Sequence, residues 1–276
     1  MSTWLITGCS TGLGRALAEA VLDHGDNAVV TARDVANVED LQESHPDTAY
    51  AVELDVTDPA QVTRAVEAAH ERFGSVDVLV NNAGYGYRAA VEEGDDSEVR
   101  HLFDTNLFGA ISMTKAVLPG MRGRRAGAIV NISSIGARVA PPGSGYYAAS
   151  KAALEAVSAS LLKEVTPLGI KVMVVEPGGF RTDFAGRSLQ QSPGSIADYA
   201  ETAGPRRKEN DRVHGTQPGD PVRAAQAMIA AVEAADSPFM LLLGQDSLDG
   251  FRAVANGLSA EVDAWEHLTV GTGFGE

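Results

Sequence analysis

Short apolar runs recur along the chain at Trp4–Thr7, Asn27–Thr31, Ala49–Leu54, Val76–Val80, Ala128–Ile132, Ile170–Glu176 and Phe239–Leu243. They are β-branched and apolar throughout, as strands covered on both faces require. Between them lie stretches whose apolar residues recur at helical spacing: Leu13–His24, a stretch through Leu41, Pro59–Phe73, Asp96–Met121, Tyr147–Val165, Pro221–Ala235 and Leu248–Trp265. Pro59 suits a first helical turn, where its missing N–H costs nothing. The region Asp96–Met121 is expected to be interrupted near Asn106 and Gly109. Strands alternating with helices predict right-handed βαβ crossovers, and so an α/β fold with a doubly wound parallel sheet flanked by helices in three layers.

The pattern breaks from Asp183 to Asp220, where glycines, prolines and the basic cluster Arg206, Arg207 and Lys208 occur together. We read 183–220 as a partly helical lid and 244–276 as a C-terminal extension with a mobile tail from Gly271. Neither a linker nor an internal repeat divides residues 1–276, so a single catalytic domain is expected.

Composition narrows the partners. The formal net charge is −15, which disfavours nucleic acid and obliges a bound dinucleotide to rely on local donors. The one cysteine, Cys9, allows no intramolecular disulfide and suits a reducing compartment. No stretch reaches the ~20 apolar residues of a membrane span, and no basic region followed by an apolar one opens the chain. A soluble, cytoplasmic protein is expected. No metal-ligand spacing of His and Cys is present.

Thr7-Gly8-Cys9-Ser10-Thr11-Gly12-Leu13-Gly14 stands between the first strand and the first helix. Gly8, Gly12 and Gly14 would let backbone amides approach a pyrophosphate at a helix N-terminus, with Ser10, Thr11 and Leu13 supplying the rest of the cradle. Cys9 reads as a small loop residue rather than a nucleophile, since no histidine partner is suggested nearby. After the second strand, where a carboxylate would select NAD, the chain has Ala32 and then Arg33. Arg33 is therefore expected to meet the 2′-phosphate of NADP(H), with NAD(H) possible. Asp34 follows directly and Thr11 adds no second base, and the alternative reading of Arg33 is a solvated turn residue.

Tyr147 and Lys151 stand four residues apart in Tyr-Ala-Ala-Ser-Lys, on one face of the predicted helix. An ammonium beside a phenol that ordinarily ionises near ~10 favours the phenolate. Such a tyrosine can exchange a proton with a carbonyl or alcohol oxygen.

With these motifs in order, residues 3–182 resemble the short-chain dehydrogenase/reductase family, of the single-domain, Rossmann-type kind. Thr7–Gly14 resembles the family's glycine loop, and Tyr147–Lys151 its Y-x-x-x-K motif. Asp55-Val56 resembles a pair that contacts adenine, and Asn81-Asn82-Ala83-Gly84 the N-N-A-G motif beneath the cofactor. Pro177-Gly178-Gly179-Phe180-Arg181-Thr182 is similar to the segment around the nicotinamide. The resemblance implies a catalytic tetrad of Asn106, Ser134, Tyr147 and Lys151. Ser134 is preferred to Ser133 because it lies 13 residues before Tyr147, the family's usual interval. It further implies cofactor contacts from Asp55, Val56, Asn82, Ala83, Gly84, Pro177, Gly178, Phe180 and Thr182.

The implied reaction is hydride transfer between NADP(H) and a ketone or secondary alcohol. Ser134 and Tyr147 would stabilise the oxygen, Lys151 would tune Tyr147 and hold the ribose, and Asn106 would order a water. Alternatives are an NAD-dependent alcohol dehydrogenase acting oxidatively and a non-catalytic dinucleotide sensor on the same fold. In the lid, Phe184, Leu189, Ile196 and Tyr199 fit a bulky or aromatic alicyclic ketone. Arg206–Lys208 reads as a solvated face or as a site for a carboxylate. Family members pair through the Asn106 and Tyr147 helices, so a homodimer or homotetramer is expected. The many alanines of the latter helix serve either that contact or packing on the sheet.

Overall fold

The computed structural model describes residues 1–186, 188–213 and 215–274. In chain order its strands are β1 (Thr3–Ile6), β2 (Asn27–Ala32), β3 (Ala49–Glu53), β4 (Val78–Asn81), β5 (Gly86–Arg88), β6 (Gly127–Ile132), β7 (Ile170–Pro177), β8 (Leu189–Gln191) and β9 (Met240–Leu243). Its helices are α1 (Gly12–Asp23), α2 (Glu39–Ser44), α3 (Pro59–Phe73), α4 (Asp96–Phe103), α5 (Ala110–Arg124), α6 (Gly136–Val139), α7 (Gly145–Val165), α8 (Gly204–Val213), α9 (Pro221–Glu233) and α10 (Gln245–Val270).

Seven strands form one parallel sheet in the order β3-β2-β1-β4-β6-β7-β9. The apolar strands cover both faces by simple alternation. Trp4, Ile6, Val30 and Val80 face a core shared with α1 and α9, whereas Leu5, Val29, Leu79 and Ile129 face one shared with α3, α5 and α7. Each such side chain contributes roughly 1.5–3 kcal/mol by leaving water. A buried polar rung crosses the second face, where Asn81 Nδ2 donates to Asn131 Oδ1 at 2.8 Å and Asn131 Nδ2 to Ser158 Oγ at 2.8 Å. This rung ties β4, β6 and α7 into one register.

Helix boundaries follow local chemistry. Asp58 and Asp220 cap α3 and α9 from positions just before Pro59 and Pro221, and Gly74 ends α3 with φ 85°. From β1 the chain winds outward through β2 to β3, then crosses to β4 and winds the other way. The loops after β1 and β4 therefore part, opening the crevice in which ligands of such sheets bind.

Several details depart from the expected pattern. The region 96–121 is broken by a π-helical segment at Asp104–Gly109, placed at the expected interruption, and helix continues to Arg124. The stretch from Val35 to Leu41 divides into a 3₁₀ turn and α2. Strands β5 and β8 were not expected, and they pair in parallel to seat the lid against the body. The lid holds β8, α8 and short 3₁₀ turns, with Arg187 and His214 outside the described residues. The extension is one 26-residue helix, longer than expected, and Gly275 and Glu276 of the tail lie outside the described residues.

Candidate active site

The loop after β1 is shaped by close approach. Gly8 and Gly12 have φ of 73° and 67°, a region that L side chains rarely adopt. At Gly14 a Cβ would lie 2.3 Å from Asn82 Nδ2 and 2.4 Å from the Gly8 carbonyl. Asn82 occupies that space because its Nδ2 donates to the carbonyls of Thr7 and Gly8 at 2.9 and 3.0 Å. Thr7 Oγ1 in turn accepts from the amides of Asn82 and Ala83. Ser10, Thr11 and Leu13 lie half-exposed along this turn, and the Thr11 side chain does not cap α1. The first-turn amides thus face the crevice, and the cradle fits a nicotinamide dinucleotide's pyrophosphate.

Cys9 is turned inward beneath the loop, its amide bonded to Thr31 and its thiol to the Ile6 carbonyl. Burial pushes the thiol up to about 12. The native protein is expected to leave a charged disulfide reagent unreacted at neutral pH and to release one equivalent on unfolding. Rapid reaction of the folded protein would contradict this placement.

At the end of β2, Arg33 is exposed, and Asp34 spends a carboxylate oxygen on the Ala36 amide at 3.2 Å. Arg15 is taken up by Asp40 and Glu19. Asp55 accepts from both the amide and the hydroxyl of Thr57. Val56 packs so closely on Gly109 that a Cβ there would meet it at 2.5 Å, coupling the loop after β3 to the π-helical segment.

That segment carries Asn106, which is 1% exposed. Its Oδ1 accepts from the Tyr85 amide at 3.0 Å, and its Nδ2 donates to the Tyr85 carbonyl at 2.9 Å and to Ser150 Oγ at 3.2 Å. The π turn supplies the extra residue that rotates Asn106 inward. Lys151, 5% exposed, donates its Nζ to the Ile132 carbonyl at 2.8 Å. Gly84 lies between these two, since a Cβ there would meet Asn106 Oδ1 at 2.9 Å and Lys151 Nζ at 3.3 Å. Ser134 Oγ accepts from the Gly136 amide at 3.0 Å and is hydrogen-bonded to Tyr147. Asn106, Ser134, Tyr147 and Lys151 thus meet at the carboxyl edge of the sheet, beside the glycine loop.

The profile of the family described as short chain dehydrogenase matches residues 2–193. The chain belongs to this family. It is 38% identical over 268 residues to "Oxidoreductase BOA17" of Botryotinia fuckeliana, covering 97% of each chain. A solved short-chain dehydrogenase from Streptomyces avermitilis superposes with a TM-score of 0.93 at 42% identity, covering 99% of this chain and 100% of that one. A 3-ketoacyl-(acyl-carrier-protein) reductase of Brucella melitensis, solved in complex with NADH, superposes with a TM-score of 0.72 at 26% identity over 89% of this chain and 97% of that one. The protein is accordingly an oxidoreductase of the NAD(P)-dependent dehydrogenase/reductase type.

Within this short-chain dehydrogenase the segment after β7 closes the cradle. A Cβ at Gly12 would touch Thr182 at 3.6 Å, and Phe180 is buried against Gly219. Pro177 ends β7, and the Gly178 amide donates to the Leu243 carbonyl at 2.9 Å. Asp246, at the start of α10, accepts from the Gly179 amide at 2.6 Å and fills the space where Gly178 would carry a Cβ. Ser247 Oγ donates to the Glu176 carbonyl at 2.7 Å. The sequence pattern gave no hint of this contact from the extension.

Two expectations need correction. The spacing to Lys151 predicted a lowered phenol, yet Tyr147 is raised above its ordinary value, chiefly by burial. The opposing influences are the Ser134 hydrogen bond and the charges of Arg88 and Arg206, while Lys151 turns its ammonium to Ile132. Arg88 and Arg206 both donate to Ser144, a meeting that the sequence does not reveal because the lid's path brings the two together. The cluster 206–208 is also no uniform solvated face. Arg207 pairs with the buried Glu93 at 2.6 Å and donates to the carbonyls of Ser192 and Gly194, pinning the lid. Of the lid's apolar residues, Phe184 reaches the site, its ring 5.9 Å from that of Tyr147, and Leu189 packs over Gly86. Ile196 donates its amide to Glu93, and Tyr199 its hydroxyl to Glu92.

Proposed function

We propose that this protein is a ketone reductase and alcohol dehydrogenase that prefers NADP(H), working as one catalytic domain through Asn106, Ser134, Tyr147 and Lys151. The convergence of these four side chains beside the glycine cradle carries the reading. The bound nicotinamide supplies or accepts the hydride. Ser134 and Tyr147 donate hydrogen bonds to the substrate oxygen, where negative charge develops during reduction. Tyr147 gives up its phenolic proton in that direction and takes one back in alcohol oxidation. Burial keeps the phenol protonated at neutral pH, the form that reduction consumes. Lys151 would hold the ribose hydroxyls and replace the proton on Tyr147, and Asn106, fixed by the Tyr85 backbone, would order the water that resupplies Lys151. Phe184 and Leu189 line the substrate side, which suits a bulky ketone.

Arg33 underlies the cofactor preference, because Asp34 is engaged by its own turn and Arg15 by Asp40. In turnover assays on a panel of ketones and secondary alcohols, NADPH is expected to give the higher kcat/KM. Arg33→Ala should raise KM for NADPH by about tenfold and leave that for NADH unchanged. A wild-type preference for NADH would overturn the assignment.

A homo-oligomer formed through the π-helical segment and α7 completes the reading. Ala149, Ala152 and Ala156 face outward rather than onto the sheet, and Phe108 and Val157 are exposed beside them. The lone cysteine suits a reducing, cytoplasmic setting.

A further inference from the structure

Behind Ser134, Tyr147 and Lys151 lies a group of acidic and basic side chains drawn from three elements. Glu155 follows Lys151 by four residues on α7, so the two share a helix face. Glu155 Oε1 accepts from Ser133 Oγ at 2.5 Å, and Oε2 faces Arg138 Nη2 of α6 at 3.0 Å. Arg138 also donates Nε and Nη2 to the two carboxylate oxygens of Glu176 on β7, both at 2.7 Å. Its guanidinium lies over the Phe251 ring of α10, 5.1 Å from the centroid. Two acids and two bases are thereby enclosed together.

The charges divide unequally. Glu176 is 0% exposed and holds Arg138 in a bidentate grip, so Arg138 is already matched. Lys151 is buried against a backbone carbonyl, with Gly84 and Asn106 as its uncharged neighbours. Burial draws its ammonium down to about 8, and Glu155 is the group that draws it back up. The groups facing Glu155 are Lys151 on its own helix, Ser133 after β6, Arg138 on α6 and Glu176 on β7. Burial and Glu176 raise its carboxyl, and the other three lower it.

We propose that Glu155 is a positioning residue of this site, the counter-charge that keeps Lys151 an ammonium, aimed by Ser133 and Arg138. The proposal rests on the reading of Lys151 as the residue that replaces the proton on Tyr147. Glu155 touches neither substrate nor cofactor. Its effect is on the pH at which Lys151 loses its proton. The competing role is mechanical, a tie between α7, α6 and the end of β6. Glutamine keeps the length and can still accept from Ser133, so a mechanical role predicts a change in stability alone.

The test uses full-length protein carrying ¹³C at lysine Cε, with the Lys151 resonance assigned by its absence from Lys151→Arg. In Glu155→Gln the titration midpoint of that resonance is expected to fall by about one pH unit or more. Glu155→Asp, with the charge drawn back by a methylene, should show a smaller fall. An unchanged midpoint in Glu155→Gln overturns the proposal. Should that variant not fold, Glu155→Asp decides alone, a downward shift supporting the proposal and none overturning it. The alkaline limb of kcat/KM should move with the resonance. If the resonance moves and the limb does not, the counter-charge assignment stands and the catalytic reading of Lys151 falls.

Discussion

Tyr147→Phe is expected to lower kcat for ketone reduction by about three orders of magnitude while the dissociation constant for NADPH changes little. The substitution removes one oxygen. The ring keeps its contact with Phe184, and the cradle formed by Gly8, Gly12 and Gly14 is untouched. Ser134 still offers a hydroxyl to the substrate oxygen, which leaves a residual rate from positioning and hydrogen bonding. What would be lost is the proposed proton donor, a phenol that burial raises above its ordinary value. Single-turnover kinetics with a ketone, set beside a fluorescence titration of NADPH, separates the two quantities. Near-normal turnover would remove Tyr147 from the acid–base role. A parallel collapse of NADPH affinity would show that the side chain supports the cradle instead.

Gly14→Ala carries the second large effect. Its methyl group would meet Asn82 Nδ2 at 2.3 Å and the Gly8 carbonyl at 2.4 Å, distances that no Cβ tolerates. Asn82 would give up its bonds to Thr7 and Gly8, and the Gly8 backbone would have to move outward. Overpacking of this kind typically costs about 1–3 kcal/mol of stability. Displacing the pyrophosphate cradle is expected to weaken NADPH binding by about a hundredfold. Gly257→Ala is the matched control, since a Cβ there meets nothing within 4 Å in the exposed part of α10. It should bind NADPH as the wild type does and melt no earlier. Thermal unfolding and NADPH titration of the two variants measure both effects, and equal affinities would dismiss the close-approach argument.

Much of this architecture could be read along the chain, because its strands are long enough to show a doubly covered pattern and its helices long enough to show a stripe. The interruption near Asn106 was legible too, as a break in helical spacing, though the pattern could not say that a π turn would fill it. Strands β5 and β8 were illegible for the opposite reason. At three residues each, they have no period to detect, and their pairing depends on how the lid lies. The spacing of Tyr147 and Lys151 placed the two side chains on one face. It carried no information on burial, and burial decides the direction in which the phenol moves. Arg88 and Arg206 are far apart in the chain and meet at Ser144 only through the tertiary path. Glu155 was the omission a reader could have avoided, since the four-residue interval that singled out Tyr147 applies equally on the other side of Lys151.

The latch made by Asp246 and Ser247 gives the last part of the chain a different standing from that of an appendage. Those two residues fasten α10 to Gly179 and to the Glu176 carbonyl, at the edge where the segment after β7 leaves the sheet. Because the Gly179 amide finds its acceptor in α10, displacing that helix would leave the amide without it. That edge of the crevice is therefore fastened by side chains that follow it by 67 and 71 residues in sequence, so loosening α10 would loosen the edge as well.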